Sequence, residues 1–302
     1  MSRQFIQFNN ISFSYDTSEK ELFSGLSLTL PAGWTGIAGP NGSGKTTLLM
    51  LSTGILKPSS GSIIGTENAF LCEQRTDLCP EMLCDFIEAY GKEAGIIRDR
   101  LRIGADWPWR WETLSHGERK RAQIAVLLWL QPDVLALDEP TNHLDFTARE
   151  MINEALLTYN GIGLLVSHDR KLMDSMCSQT LFLYPPDAVL RPGGITQGIQ
   201  IEKDEQTAIR KQKSVKIKDL KKLRRESAAR RTIADSSDSR VSKKNISAKD
   251  HSAKDKIDRA RITGKDSTGG KLLNQMKSRI DRAETELEGI KYRRNYRTGI
   301  IL

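Results

Sequence analysis

Gly39-Pro-Asn-Gly-Ser-Gly-Lys-Thr46 is the stretch that decides the fold. It fits the pattern GxxxxGK[ST]. Gly39, Gly42 and Gly44 let backbone N–H groups turn inward around phosphate oxygens, with Pro40, Asn41 and Ser43 completing the loop. Lys45 reaches the β- and γ-phosphates of a nucleotide. The Thr46 hydroxyl suits Mg²⁺, which prefers hard oxygen ligands. A helix starting over Thr46–Leu51, Thr47 included, points its positive end at the phosphates. Trp34–Ala38 just upstream reads as a short buried strand, so the loop sits between strand and helix, as its chemistry requires.

Outward from the loop, the pattern alternates strands and helices. Residues 5–15 alternate apolar and polar, as a half-buried strand does. Leu22–Leu30 repeats the pattern with Leu26, Leu28 and Leu30 on one face, and Pro31-Ala-Gly33 is a turn. Ile63–Ile64 and Ala69–Leu71 suggest further strands. Residues 80–130 read as mainly helical, interrupted by Trp107-Pro-Trp-Arg-Trp111. Val134–Leu137 and Gly163–Val166 are short apolar runs followed by polar residues, the mark of buried parallel strands. The class is α/β. The first of these runs ends in Asp138-Glu139. Beside a phosphate loop, Asp138 holds Mg²⁺ through water, and Glu139 polarises the water that attacks the γ-phosphate.

The chain has 302 residues, which suggests about two domains. Its net charge of +8 hides a split. Residues 1–200 carry 17 Lys/Arg against 23 Asp/Glu, whereas residues 201–302 carry 29 against 15, net +14. All five Trp, all eight Phe and four of six Tyr lie in residues 1–200. The first part can build a large core; the last hundred residues form helix, linker or a surface that meets something acidic. No stretch reaches the ~18 apolar residues of a membrane span, since the run Ala125–Leu130 ends at Gln131-Pro132. The opening MSRQFIQFNN carries no secretory pattern. Cys72, Cys79, Cys84 and Cys177 form neither a disulfide framework nor a zinc spacing with His. These features predict a cytoplasmic protein without membrane insertion.

Pro185-Pro186 and Pro192-Gly-Gly194 are read as the end of the α/β domain. Residues 203–231 are rich in Lys and Arg on a helix-compatible background, and 232–252, rich in Ser and Asp, read as loose. A second helix is expected over 271–291. There Leu273, Met276, Ile280, Ala283, Leu287 and Ile290 alternate steps of three and four, a heptad seam. Ile209, Ile217, Leu220 and Leu223 offer a partner face. The result is an antiparallel hairpin, or else two separate solvated helices.

These residues resemble the ATP-binding cassette (ABC) ATPases. Leu114-Ser-His-Gly-Glu118 looks like the family signature LSGGE, with His116 in place of the first Gly. The resemblance implies that Ser115, His116, Gly117 and Glu118 cap the γ-phosphate bound by an opposing cassette. It implies a Mg²⁺ and water contact at Gln74, a switch histidine at His168, an adenine-stacking aromatic at Tyr15 and a D-loop residue at Asp145. It also implies an antiparallel β subdomain and a helical subdomain around the P-loop core, with ATP and Mg²⁺ as cofactors.

Glu139-Pro-Thr-Asn-His-Leu-Asp145 and Ser167-His-Asp-Arg170 are similar to the ABC-F branch, whose members lack membrane domains and commonly act on ribosomes. There a basic helical linker joins two cassettes and reaches toward RNA, as residues 203–302 would, including Ala260–Asp266 before the heptad helix. The expected organisation is an ABC domain over 1–200 and a linker over 201–302. This chain has one cassette where that branch has two, and its apolar ending Tyr296–Leu302 resembles the start of a strand, as in a truncated or split twin-cassette protein. One cassette offers two half-sites and no complete one, so a second cassette, from its own dimer or another chain, is the expected partner. Two rival readings stay open at this point: an ATP-binding subunit of a transporter, and a non-hydrolysing RNA-binding remnant.

Overall fold

The computed structural model describes residues 5–17, 21–240 and 265–289, without the side chains of 233–240 and 265–271. The expected strand near Ile300, the seam residue Ile290, and most of the Ala260–Asp266 string lie outside these residues. The described residues fall into two compact units that meet in sequence at Ile201/Glu202.

The first unit holds two sheets. β1 (Phe5–Phe13) lies between β2 (Phe23–Pro31) and β4 (Ser60–Ile64), antiparallel to both. The second sheet has six strands in the order β5-β6-β7-β3-β8-β9, where β3 is Gly33–Ala38, β5 Ala69–Cys72, β6 Val134–Asp138, β7 Ile162–Val166, β8 Cys177–Tyr184 and β9 Asp187–Pro192. β5, β6, β7, β3 and β8 are mutually parallel; only β9 runs antiparallel, paired with β8.

Side-chain alternation divides the core. Ile37, Val134, Ala136, Leu164 and Leu181 face one cluster with Phe8, Phe23 and Leu48, Leu49 and Leu51 of the helix α1 (Lys45–Ser52), all buried. Leu135, Leu137, Leu165 and Phe182 face the other, under α2 (Leu83–Glu88), α3 (Lys92–Leu101), α4 (His116–Leu130), α5 (Phe146–Leu156) and α6 (Arg170–Met176). Both faces of the parallel sheet are covered, which explains why β6 and β7 are apolar throughout rather than alternating. Full burial of each large apolar side chain here contributes about 1.5–3 kcal/mol. The α/β class, the antiparallel sheet and the helical layer expected from the sequence are all present.

Several local readings need correction. Pro185-Pro186 does not end the domain: it is the turn between β8 and β9, which pair from Gln179–Pro192 to Tyr184–Asp187. The expected interruption at Trp107 is present as a 3₁₀ segment, Trp107–Thr113, whose Trp107 and Trp111 are buried. The long helix α7 runs Ile195–Arg240. It starts at Ile195, whose side chain is buried in the first unit. The Ser/Asp-rich stretch read as loose is therefore helical as far as Arg240. Between Gly198 and Gly264 the chain has neither Gly nor Pro, so nothing breaks the helix where Ser and Asp merely weaken it.

The second unit begins at Glu202 and contains the rest of α7 and α8 (Lys265–Glu288). α8 starts earlier than residue 271 and passes through Gly269-Gly270. Leu220 of α7 and Met276 of α8 are buried. Lys216 Nζ reaches Glu286 Oε2 at 2.8 Å and Arg224 Nη2 reaches Glu284 Oε1 at 2.7 Å. As the number rises on α7 it falls on α8, so the pair is antiparallel: the hairpin alternative holds. Glu286 is held below the usual carboxylate range by the Lys216 ammonium.

Candidate active site

Four strand ends meet at one edge of the parallel sheet. β3 runs into the Gly39–Gly44 loop and α1, β5 leads to Gln74, β6 ends at Asp138, and β7 leads to His168. Open α/β sheets bind ligands at this carboxyl edge. A cleft of about 670 Å³ lies here, lined by Tyr15, Asn41, Lys45, Thr46, Thr47, Gln74, Asp138, Glu139 and His168, among others.

The loop is shaped by its glycines. Gly42 and Gly44 have φ of +78° and +89°, the left-handed region open to Gly. At Gly39 a Cβ would lie 2.5 Å from Ser43 Oγ and 3.0 Å from the Leu183 carbonyl oxygen, so a side chain there would crowd the loop. Lys45 Nζ donates to the carbonyls of Gly39 and Pro40 at 3.0 and 3.2 Å, curled across the loop it would open toward phosphate. Burial lowers the Lys45 pKa, against the opposing pull of Glu139 and Asp138. Ser43 Oγ is buried without a hydrogen-bond partner.

The carboxylates sit opposite. Thr46 Oγ1 donates to Asp138 Oδ2 at 2.6 Å, which puts two hard oxygens at one point. Glu139 is buried and has φ +50°, a strained value for a non-Gly residue. Its Oε2 accepts the His168 N–H at 3.0 Å, and its Oε1 lies 3.3 Å from His168 Nε2. Burial pushes the Glu139 carboxyl above its ordinary pKa; the His168 N–H, His168 and Lys45 oppose this, and Asp138 adds to it. A carboxylate raised in this way is a better proton acceptor. Tyr15, 43% exposed at the cleft, shares a 2.8 Å hydrogen bond with Thr47 Oγ1, and its ring packs edge-on against Phe13.

These residues fit Mg²⁺ and a nucleotide triphosphate. Among the described residues no group of three or more His, Cys, Asp or Glu could hold a metal. A cation held by Thr46 and Asp138 would need further oxygen ligands from phosphate and water, which suits Mg²⁺. The unpartnered Ser43 hydroxyl and the free turn at Gly42, with nothing within 4 Å of its Cβ position, leave donors and space for phosphate.

The signature residues stand elsewhere. None of Ser115, His116, Gly117 and Glu118 lines the cleft. Ser115 caps α4: Glu118 N–H donates to Ser115 Oγ at 3.3 Å, and Ser115 N–H donates to Glu118 Oε2 at 2.8 Å. This bonding to Ser115 also holds the Glu118 carboxyl low. A Cβ on Gly117 would make only ordinary contacts, 3.6 Å to Leu144 and 3.8 Å to Ala148, so the packing of this chain does not demand glycine there. His116 Nδ1 lies 2.9 Å from Thr76 Oγ1, two residues after Gln74, and its ring meets His143 edge-on at 6.2 Å. Burial, with help from Lys120, His143 and Arg119, lowers the His116 pKa against Asp77. The substituted signature position thus ties α4 to the segment after β5. Asp145 caps α5 by accepting the Ala148 N–H at 2.8 Å.

Sequence reading missed Glu21, Leu22, Val166 and Pro185, which also line the cleft. Leu22 closes on Gly44, where a Cβ would lie 2.8 Å from Leu22 Cδ2. None of the four sits in a pattern that could have marked it.

The family model described as ABC transporter matches residues 23–142. An "ATP-binding protein Uup-like" of Haemophilus influenzae is 34% identical over 74% of this chain and 52% of its own length. The Uup protein of the same organism is 38% identical over 58% of this chain and 29% of its own. The ribosome protection protein VmlR of Bacillus subtilis is 33% identical over 60% and 34%. The chain is an ATP-binding cassette of the ABC-F type. A bacterial Atm1-family ABC exporter with ATP bound shares the fold, with a TM-score of 0.55, 21% identity, and cover of 66% of this chain and 40% of that one. The cassette spans about half the length of its first relative and a third or less of the next two. No helix among its described residues is long and apolar enough to cross a membrane.

The cleft makes a direct prediction for Lys45→Ala. The ammonium that faces phosphate is lost while the loop glycines remain. Nucleotide affinity is expected to fall by about tenfold or more, the loss of one charge-assisted bond. Titration with a fluorescent ATP analogue measures it; wild-type affinity would remove Lys45 from phosphate binding.

Proposed function

We propose that this cassette hydrolyses Mg-ATP at a site completed by a second cassette, and that the cycle drives a conformational switch on the ribosome. One observation carries the hydrolytic part: Lys45, Thr46, Asp138, Glu139 and His168 converge on one cleft while Ser115 and Gly117 lie outside it. A site with loop, cation ligands and base but without donors on the far side of the γ-phosphate is half of a phosphoryl-transfer centre.

In this reading Tyr15 stacks on the base, and Asn41, Gly42, Ser43, Gly44, Lys45 and Thr47 hold the phosphates. Thr46, Asp138 and Gln74 hold Mg²⁺, which supplies charge neutralisation at the phosphates when bound. Glu139 takes a proton from water as the water oxygen bonds to the γ-phosphorus. The bond to the β–γ bridging oxygen breaks, and ADP leaves with that electron pair. His168 fixes Glu139 through the two contacts described. Ser115, His116, Gly117 and Glu118 of the second cassette face the γ-phosphate, with Asp145 beside the joint; the spare room at Gly117 supports close approach of that partner.

Residues 1–200 form the ATP-binding domain, and the basic residues 201–302 form the linker that meets RNA. Similarity to a ribosome protection protein and the +14 charge of that segment support a ribosomal target. Lys and Arg contacts to phosphate release counterions, so binding is expected to weaken steeply with salt. In ribosome pelleting, the full chain is expected to sediment with ribosomes at low salt and the 1–200 fragment much less. Equal pelleting of the two would reject the linker as the RNA-binding element.

A further inference from the structure

Glu139 and His168 line a second cavity, of about 460 Å³, as well as the nucleotide cleft. Both residues therefore lie where the two spaces adjoin. The second cavity is cationic. Arg149 of α5 and Arg170 and Lys171 of α6 line it, against the carboxylates of Glu139 and Asp169. Asp169 is already engaged, since its Oδ1 accepts the Leu172 N–H at 3.1 Å. The Nε atoms of Arg149 and Arg170 are both buried and have no hydrogen-bond partner. A buried guanidinium N–H left unmatched costs free energy until an acceptor arrives. Both arginine side chains line one cavity with a lysine beside them, and such a lining suits a small anion with several acceptor oxygens.

We infer that this cavity is a transient site for inorganic phosphate, the product released when the γ-phosphate is cleaved on the other side of Glu139 and His168. The inference rests on the hydrolytic reading above and adds an exit to it. The charge pattern sets the direction. On the nucleotide side the freed phosphate faces Asp138 and the phosphates of ADP, and like charges repel. On the far side it meets Arg149, Arg170 and Lys171 against the two carboxylates of Glu139 and Asp169, a net cationic lining that favours an anion. Side-chain movement of His168, which is half exposed, opens the way between the two spaces without moving a strand.

The test uses the full chain saturated with MgADP and radiolabelled inorganic phosphate, with binding read by equilibrium dialysis. In the Arg149→Met/Arg170→Met double variant the phosphate dissociation constant is expected to rise about tenfold or more. The affinity for a fluorescent ADP analogue is expected to stay unchanged. Arg170→Lys, which keeps the charge, is expected to retain most of the phosphate binding. Circular dichroism checks that the double variant folds. If it does not, Lys171→Ala at an exposed position is read in its place, with an expected loss of about threefold. Unchanged phosphate affinity in a folded variant would overturn the exit site while leaving the nucleotide cleft intact. Loss of ribosome pelleting with unchanged phosphate affinity would overturn it in favour of an RNA contact. Failure of the wild-type chain to bind ADP would overturn the nucleotide reading together with the inference.

Discussion

Glu139→Gln is expected to keep Mg-ATP binding and to lose turnover by about 10²-fold or more, the usual effect of removing a general base. The amide preserves size and can still accept the His168 N–H that Glu139 Oε2 accepts now at 3.0 Å. Lys45, the loop and the Thr46–Asp138 pair are untouched, so affinity survives. What disappears is the negative charge, held in a buried position where it has most effect on a proton. With hydrolysis blocked, the proposed two-cassette site predicts that the variant shifts to dimer on adding ATP, as read by light scattering. Wild-type turnover in Glu139→Gln would remove Glu139 from the role. The wild-type pH profile carries the same information. Because burial raises the Glu139 pKa, the base is ionised only above that raised value. Its activity is expected to fall on acidification at a pH above the ordinary carboxylate range, and Glu139→Gln to lose that limb.

Ser115→Arg is expected to abolish most turnover while leaving ATP affinity in the cleft unchanged. Ser115 is exposed at the start of α4 and does not line the nucleotide cleft of its own chain. Substitution there cannot act on that cleft directly. If Ser115 faces the γ-phosphate held by a second cassette, an arginine side chain keeps the two halves apart and removes preorganised donors, whose loss one at a time costs about 10²–10³ in rate. The loss of the Ser115–Glu118 cap costs about 1 kcal/mol of stability as well. A thermal melt separates that structural effect from the catalytic one. Unchanged turnover in a folded Ser115→Arg protein would place the signature outside the reaction.

Much of the cassette was legible because its chemistry is contiguous. Gly39–Thr46 and Val134–Glu139 each carry their own strand context, so loop, cation ligands and base could be read locally. Tyr15, Gln74 and His168 carry no local pattern and were reached through resemblance; the sheet order then brings them to one edge with the loop. Leu22 and Pro185 join the cleft from turns whose composition says nothing of nucleotide. β8 was not anticipated, since the polar Ser178-Gln-Thr180 leaves only a short apolar run before Pro185 and no alternation marks it. The helix over 232–240 is not legible locally, because Ser and Asp weaken a helix without ending it and the stretch contains no Pro. Arg149 and Arg170 are 21 residues apart in sequence, so their common cavity exists only in the fold.

Turnover per chain across a dilution series of the wild-type protein tests the central claim, that a complete site needs two cassettes. Mg-ATP is held saturating, and the rate per chain is followed from micromolar to nanomolar protein. Assembly of the site from two cassettes predicts a rate per chain that falls on dilution and is restored by supplying a second cassette. A rate that is already high at nanomolar protein and flat with dilution would contradict it, because a complete site would then exist within one chain.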